Sequence, residues 1–143
     1  MEEKEQRIRR ANDAIAKLGI YEEKIRSKEL DDAVENLRIA VRDLRDTQYL
    51  FDSGEKELIR LYERYLPYFW QILDQYLDLQ DSGNYDAIVR NGEHLQKTID
   101  QMISVVRSVI KILPQDEIDE ANAKARAEEL RRMLEEQRNN VVK

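Results

Sequence analysis

Apolar residues recur at alternating steps of three and four along most of the chain, which is the spacing of one face of an α-helix. In residues 2–26 this row consists of Ile8, Ala11, Ile15, Leu18 and Ile25. So narrow a stripe is typical of a coiled coil and predicts an N-terminal helix. The register slips after Ile25, and Ser27 stands where an N-cap would begin the next helix.

Two further helices are predicted between residues 28 and 79. The first reaches about Tyr49 on the row Leu30, Val34, Leu37, Val41 and Leu44. Asp52 and Glu55 then have the spacing of a capping box, which predicts a new helix from Ser53 to about Leu79. That helix carries one row of Leu58, Tyr62, Tyr65, Phe69, Ile72, Tyr76 and Leu79, beside a second of Ile59, Leu66, Trp70, Leu73 and Leu77. Two rows indicate cover on two sides and therefore a central helix.

A turn signal at residues 81–84 separates this helix from a fourth. Gly83 suits a left-handed C-cap and Asn84 an N-cap. The fourth helix follows on Ile88, Gly92, Leu95, Ile99, Met102, Val106, Val109 and Leu113. Gly92 on its inner face indicates either close approach to a neighbouring backbone, opposite a large ring, or a merely tolerated glycine. Pro114 is predicted to stop this helix, and the acidic residues 116–119 to open a last one on Ile118, Ala123, Ala127, Leu130 and Leu134.

Pro67 lies inside the third helix, where it cannot donate to the carbonyl of Glu63 and costs about 3 kcal/mol. The helix can break, with Pro67 as the first residue of a new one, or continue with a kink. Leu66 is a poor N-cap, and the apolar register passes from Tyr65 to Phe69 undisturbed. These features favour the kink. The aromatic residues around it indicate core packing rather than a ligand pocket.

The predicted fold is all-α: an elongated antiparallel up-down bundle of three main long helices, with an extra helix at each end. We expect one domain, in which residues 1–26 form an N-terminal helix that can protrude and residues 27–113 form the core. Residues 114–143 form a C-terminal helix with a frayed end. Charged residues make up 38% of the chain, with only four Gly and two Pro, which agrees with long helices rather than strands.

Charge and reactive residues narrow the possible functions. The net charge of −6 is spread over interleaved signs, which argues against a nucleic-acid interface. The chain has no Cys, so thiol catalysis and thiolate metal sites are excluded, and its one histidine, His94, has no Glu-x-x-His partner. We therefore predict no catalytic residues, no cofactor and no metal. No run approaches the roughly 20 apolar residues of a membrane span, so we expect a cytoplasmic protein, or one at the cytoplasmic face if a membrane segment precedes Met1.

The helix around Pro67 resembles the signature of the XpaC-like family, which is named for 5-bromo-4-chloroindolyl phosphate hydrolysis. The resemblance lies in Tyr65, Leu66 and Pro67, followed by Ile72, Leu73, Tyr76 and Leu79, and in the order of the helices. Aromatic residues follow Pro67 here, where the family usually has small or hydroxyl residues. The resemblance implies a structural signature at Tyr65, Leu66, Pro67 and Tyr76, and a stress- or envelope-related role.

Phosphoester hydrolysis, which the family name suggests, needs a nucleophile or metal-activated water and converging positive charge. Five cations could bind phosphate if they converged, although solvated side chains are the usual state on charged helices: Arg60, Arg64, Arg90, Arg107 and Lys111. The favoured prediction is a non-catalytic scaffold that binds a protein partner or a second copy through Ile8, Ile15, Leu18, Ile59, Trp70 and Leu73. The alternatives are a phosphoester hydrolase or phosphatase accessory protein, and a membrane-peripheral module that uses Arg7, Arg9 and Arg10 beside Ile8.

Overall fold

A computed structural model describes residues 4–142 of the chain, with side chains for residues 4–139. Its elements are α1 (Lys4–Lys24), α2 (Lys28–Leu50), α3 (Glu55–Arg60), a π-helical turn (Leu61–Tyr65), α4 (Leu66–Ser82) and α5 (Tyr85–Val142). The described residues contain no strand, so the predicted all-α class is confirmed. The ends of the two predicted terminal helices, residues 1–3 and residue 143, lie outside the described part.

The helical segments pack along their lengths. α2 lies closest to α1 and α5, and α4 packs on α5. Side chains join α4 and the π-helical turn to α1: Arg10 pairs with Glu63, and the Tyr21 hydroxyl donates to Asp74 at 2.6 Å. Both of these contacts join residues 53 positions apart, so α1 runs in the same direction as the π-helical turn and α4.

The N-terminal helix belongs to the core, which corrects the expectation that it can protrude. Ala11, Leu18 and Tyr21 are buried together with the predicted row of α2, from Leu30 to Leu44. The physical reason is that the stripe of α1 has partners within the chain, namely α2 on one side and α4 on the other. α1 and α2, the continuous run of α3, the π-helical turn and α4, and α5 therefore all contribute to one core.

Two of the three predicted N-caps are confirmed. The Ser27 hydroxyl accepts a hydrogen bond from the Leu30 amide, and Asn84 accepts one from the Ala87 amide at 3.3 Å. Gly83, with φ of 74°, ends α4 as expected.

The prediction of a capping box at Asp52 was wrong. α3 begins after Gly54, whose φ is 79° and which offers no side-chain cap. The reason is that Ser53 is buried and donates its hydroxyl proton to the carbonyl of Leu113. This hydrogen bond holds the segment between α2 and α3 against α5. Asp52 instead pairs with Lys4 at 3.0 Å.

The helical backbone passes through Pro67 without a break. Tyr65 and Leu66 both have right-handed helical angles, and the Leu66 amide donates to the Leu61 carbonyl, five residues back. The π-helical turn therefore ends two residues before Pro67. In an ordinary α-helix, the hydrogen bonds at this place would be interrupted, because proline has no N–H and its ring is bulky.

The prediction that Pro114 stops the fourth helix was wrong. α5 has 58 residues and contains Pro114 in its interior, so at 1.5 Å per residue it is about 87 Å long. Its backbone is helical to Val142, past the point where fraying was expected. The residues after Pro114 are rich in Ala, Glu, Leu and Arg, whose high helix propensity offsets the lost hydrogen bond.

Candidate interaction surfaces

The residues predicted to bind a partner lie in the bundle or at its edges. Ile8, Leu18 and Leu73 are buried, and Ile15, Ile59 and Trp70 are partly buried. The first three are covered by the chain's own helices and cannot form an exposed docking surface, which corrects that part of the prediction. The row pattern alone did not reveal that both apolar stripes belong to the same core.

Trp70 joins α4 to α1. Its ring stacks on Tyr21 at 5.6 Å between centroids and 10° between planes, and Lys17 Nζ lies 4.9 Å from the centre of the ring. These contacts combine aromatic stacking with a cation–π interaction. Burial, followed by the hydrogen bond to Asp74, raises the pKa of Tyr21, so its hydroxyl stays a donor. The Trp70 ring therefore helps to hold α4 against α1.

The signature residues divide between the core and the solvent. Leu66 and Tyr76 are buried, whereas Tyr65 and Pro67 are exposed. Nearby, the buried hydroxyl of Tyr62 donates to the Gln48 side chain at 2.7 Å. The expectation that these rings serve mainly in packing fits the buried members, whereas Tyr65 leaves 41% of its surface exposed.

The chemistry of phosphate or metal binding finds little support in the geometry. Arg107 donates to the Asp43 carboxylate at 2.6 Å, so one of the five candidate cations is already paired with α2. His94 is exposed. Within residues 4–139 no group of three or more His, Asp or Glu side chains could hold a metal ion. No helix among the described residues is long and apolar enough to cross a membrane.

A groove that the sequence did not indicate lies where the start of α2 and the end of α4 face the start of α5. Its volume is about 880 Å³, and its walls include Leu30, Tyr76, Ile88 and Gly92. Tyr85 lines it with 76% of its surface exposed. The ring of Tyr76 faces Gly92, as the sequence suggested. However, a Cβ at Gly92 would lie 3.6 Å from the nearest side-chain atom, which is an ordinary contact distance.

The largest unpacked element is the part of α5 that we call the extension, residues 118–139. Every one of its side chains is exposed. Its four large apolar residues leave more than half of their surface open: Ile118, Leu130, Met133 and Leu134. By contrast, the same helix before Pro114 buries Leu95, Ile99, Met102, Val106, Val109 and Leu113.

The side chains of the extension form three strips along the helix: an apolar seam, basic borders beside it and an acidic back. Steps of three and four continue from the buried row of α5 and define the seam, which consists of Ala123, Ala127, Leu130 and Leu134. In the same heptad register, the positions beside the seam are the basic borders: Lys124, Arg126, Arg131 and Arg138. The side facing away from the seam, which we call the acidic back, carries Glu128, Glu129, Glu135 and Glu136 around the single basic residue Arg132. The sequence showed the seam, but only as a weak row that could pack on one side.

Comparison of the chain with protein-family models, curated proteins and solved structures finds no match. The functional argument therefore depends on the surfaces themselves. Of these, the extension is the one with no cover from its own chain.

Proposed function

We propose that this chain is a non-catalytic helical scaffold whose extension binds a protein partner. The observation that carries this proposal is that every side chain of residues 118–139 is exposed, on a helix that is continuous with the bundle. Most helical stability in proteins comes from packing an apolar face, and the extension has no such packing within its own chain. A partner that covers the seam would supply that packing, while the bundle holds the extension in a fixed direction.

The phosphoester hydrolase alternative has weaker support. Transfer of a phosphoryl group needs converging cations, and Arg107 already has a carboxylate partner in Asp43. The membrane-peripheral alternative depends on Arg7, Arg9 and Arg10 beside Ile8, and of these Arg9 is exposed. However, Ile8 is buried, Arg7 donates to the backbone carbonyl of Asp52, and Arg10 pairs with Glu63. These side chains face the bundle, which makes them poor membrane anchors.

A relation to the XpaC-like family, and with it a stress- or envelope-related role in the cytoplasm, is part of the same proposal. It depends on Tyr65, Leu66 and Pro67 and on the order of the helices. We also propose that the third predicted helix bends at Pro67. The π-helical turn before Pro67 supports this bend, because π-helical turns and prolines are the usual causes of sharp kinks.

The test places a photo-crosslinking residue at one of two positions in the extension, in cells that express the chain naturally. Leu130 lies in the seam, whereas Arg132 points away from it. We expect a defined crosslinked protein from position 130 and none from position 132. Equal crosslinking at the two positions, or none at either, would contradict the proposal. A purified chain that ends at residue 117 should still unfold cooperatively, which shows that the extension is not needed for folding.

A further inference from the structure

The borders of the seam carry charge of a single sign. Between residues 123 and 138, every charged side chain beside the seam is basic: Lys124, Arg126, Arg131 and Arg138. All four are exposed, and the acidic residues of this segment lie on the back. In paired helices, the side chains beside the apolar seam face those of the partner and determine which partner is accepted.

A second copy of the same segment fits these borders poorly. In a parallel pair in register, Arg126 of one copy would face Arg131 of the other. In an antiparallel pair that places Ala127 opposite Leu130, Lys124 would face Arg131. Within residues 123–138 both arrangements bring like charges together, which disfavours the pairing of this segment.

We propose that the partner of the extension is a helix whose own apolar seam is bordered by Asp or Glu. This inference rests on the proposed function and specifies the chemistry of the partner. Acidic borders would pair with Lys124, Arg126, Arg131 and Arg138 along the whole seam. Because Ala123 and Ala127 are small, the partner should place large residues such as Leu opposite them, so that the joint core is filled.

A basic, amphipathic helix can also bind an anionic membrane surface. The extension is less suited to this, because its back carries Glu128, Glu129, Glu135 and Glu136. The acidic block at residues 116–120 adds four more carboxylates close to the seam. Carboxylates on these faces would be repelled by anionic lipid, whereas a partner helix contacts only the seam and its borders.

The experiment uses the full chain and two designed helical peptides with the same Leu-rich seam, one with Glu and one with Lys at the border positions. We expect the Glu peptide to bind at least about tenfold more tightly, a difference of about 1.4 kcal/mol, and to weaken as salt is raised. The double variant Arg126→Glu, Arg131→Glu lowers the net charge of the borders from +4 to zero and should abolish the preference. The matched control Arg132→Glu, which changes a residue that faces away from the seam, should leave the preference unchanged.

Several outcomes would overturn the inference: equal binding of the two peptides, binding of neither, preference for the Lys peptide, or self-association of the chain that the double variant does not alter. Binding to vesicles of anionic lipid in place of the Glu peptide would also do so. These failures are distinct from failure of the proposed function. If crosslinking from position 130 succeeds while the Glu peptide fails, the extension binds a partner of different chemistry. If crosslinking fails as well, the extension is not a binding surface.

Discussion

The two parts of α5 on either side of Pro114 share one periodicity and differ in environment. Before the proline, six apolar residues of the row, from Leu95 to Leu113, are buried. In the extension, the same three- and four-residue steps bring Leu130 and Leu134 to the surface with more than half of each side chain exposed. Periodicity therefore determines that both parts are helical, whereas side-chain volume and available partners determine which part is packed.

The boundary between the two parts lies at Leu113, which is the last buried residue of α5. Leu113 is fully buried, its carbonyl accepts a hydrogen bond from Ser53, and its side chain fills the space beside Gly54. Just beyond it, burial followed by the nearby carboxylates of Glu57, Asp119 and Glu120 raises the pKa of Asp116. Carboxylates therefore cluster where the helix leaves the core.

The largest expected difference comes from truncating one apolar residue on each side of the boundary. Ile99→Ala should lower the free energy of unfolding by about 2–5 kcal/mol, because the side chain is completely buried and its removal leaves a cavity. Leu130→Ala should change it by less than about 0.5 kcal/mol, because more than half of the side chain is exposed. Urea unfolding followed by circular dichroism measures both. A loss of several kcal/mol in Leu130→Ala would mean that the extension is packed in the free protein.

The second prediction tests the boundary itself with two glycines that share a backbone conformation. A Cβ at Gly54 would lie 1.9 Å from Leu113 Cδ2, whereas a Cβ at Gly83 would have no atom within 4 Å. Both residues have positive φ, so alanine costs about 1–2 kcal/mol at either position. Gly54→Ala should cost a further ~1–3 kcal/mol for displacing a buried leucine. Thermal and urea unfolding of the two variants give this difference, and equal losses would show that Leu113 moves aside freely.

Local signals in the sequence were enough to predict the all-α class and several helix ends and buried rows. The cap at Ser27, the end of α4 at Gly83 and the buried rows of α2 and α5 follow from residue spacing and cap preference alone. The position of α1 could not be predicted in this way, because an apolar stripe on a helix does not indicate which other helix covers it. Asp52 was misassigned because the burial of Ser53 against Leu113 is a contact across 60 residues, which no local rule contains.

The two prolines show a similar limit. Both lie inside helical backbone. Pro67 follows a π-helical turn, and Pro114 directly follows Leu113, the last fully buried residue of α5. Local rules give the cost of each proline but not what offsets it. The candidate surface was misplaced for the same reason: the sequence marked Leu18 and Leu73 as apolar, but only the packing shows that they are covered. The seam of the extension was visible as a pattern, and its exposure was not.

The third prediction separates the bundle from the extension by pH. Desolvation, followed by a hydrogen bond with Glu35, raises the pKa of Glu22 from 4.5 to about 7, against the opposing effect of Arg38. The folded state therefore holds this proton more tightly than the unfolded state does. Its contribution to stability is fully present below pH 4.5 and is lost as the pH rises through about 7. Glu35 has a lowered pKa, chiefly through its hydrogen bond with Glu22, and so acts in the opposite direction below pH 4.5.

Between pH 5 and pH 7.5, the free energy of unfolding should fall by less than about 1 kcal/mol, since solvent screens the pair. Glu22→Gln should flatten this dependence, and the exposed neighbour Glu23→Gln should preserve it. Hydrogen exchange in the extension, corrected for the intrinsic effect of pH, should not change over the same range. A pH response in the extension that follows Glu22 would show that the two parts are coupled.

The smallest expected effect compares one small residue in each part of α5. Gly92→Ala should raise the free energy of unfolding by about 0.5–1 kcal/mol, because alanine favours a helix interior and its Cβ meets only ordinary contacts with Leu30 and Tyr76. Ala127→Gly is the reverse change in the seam. It should speed hydrogen exchange in the extension while leaving the unfolding of the bundle unchanged, because the packed part does not depend on the extension. If Gly92→Ala instead destabilises the protein, the groove beside Tyr76 has no room for a methyl group and α5 is held there by close backbone approach.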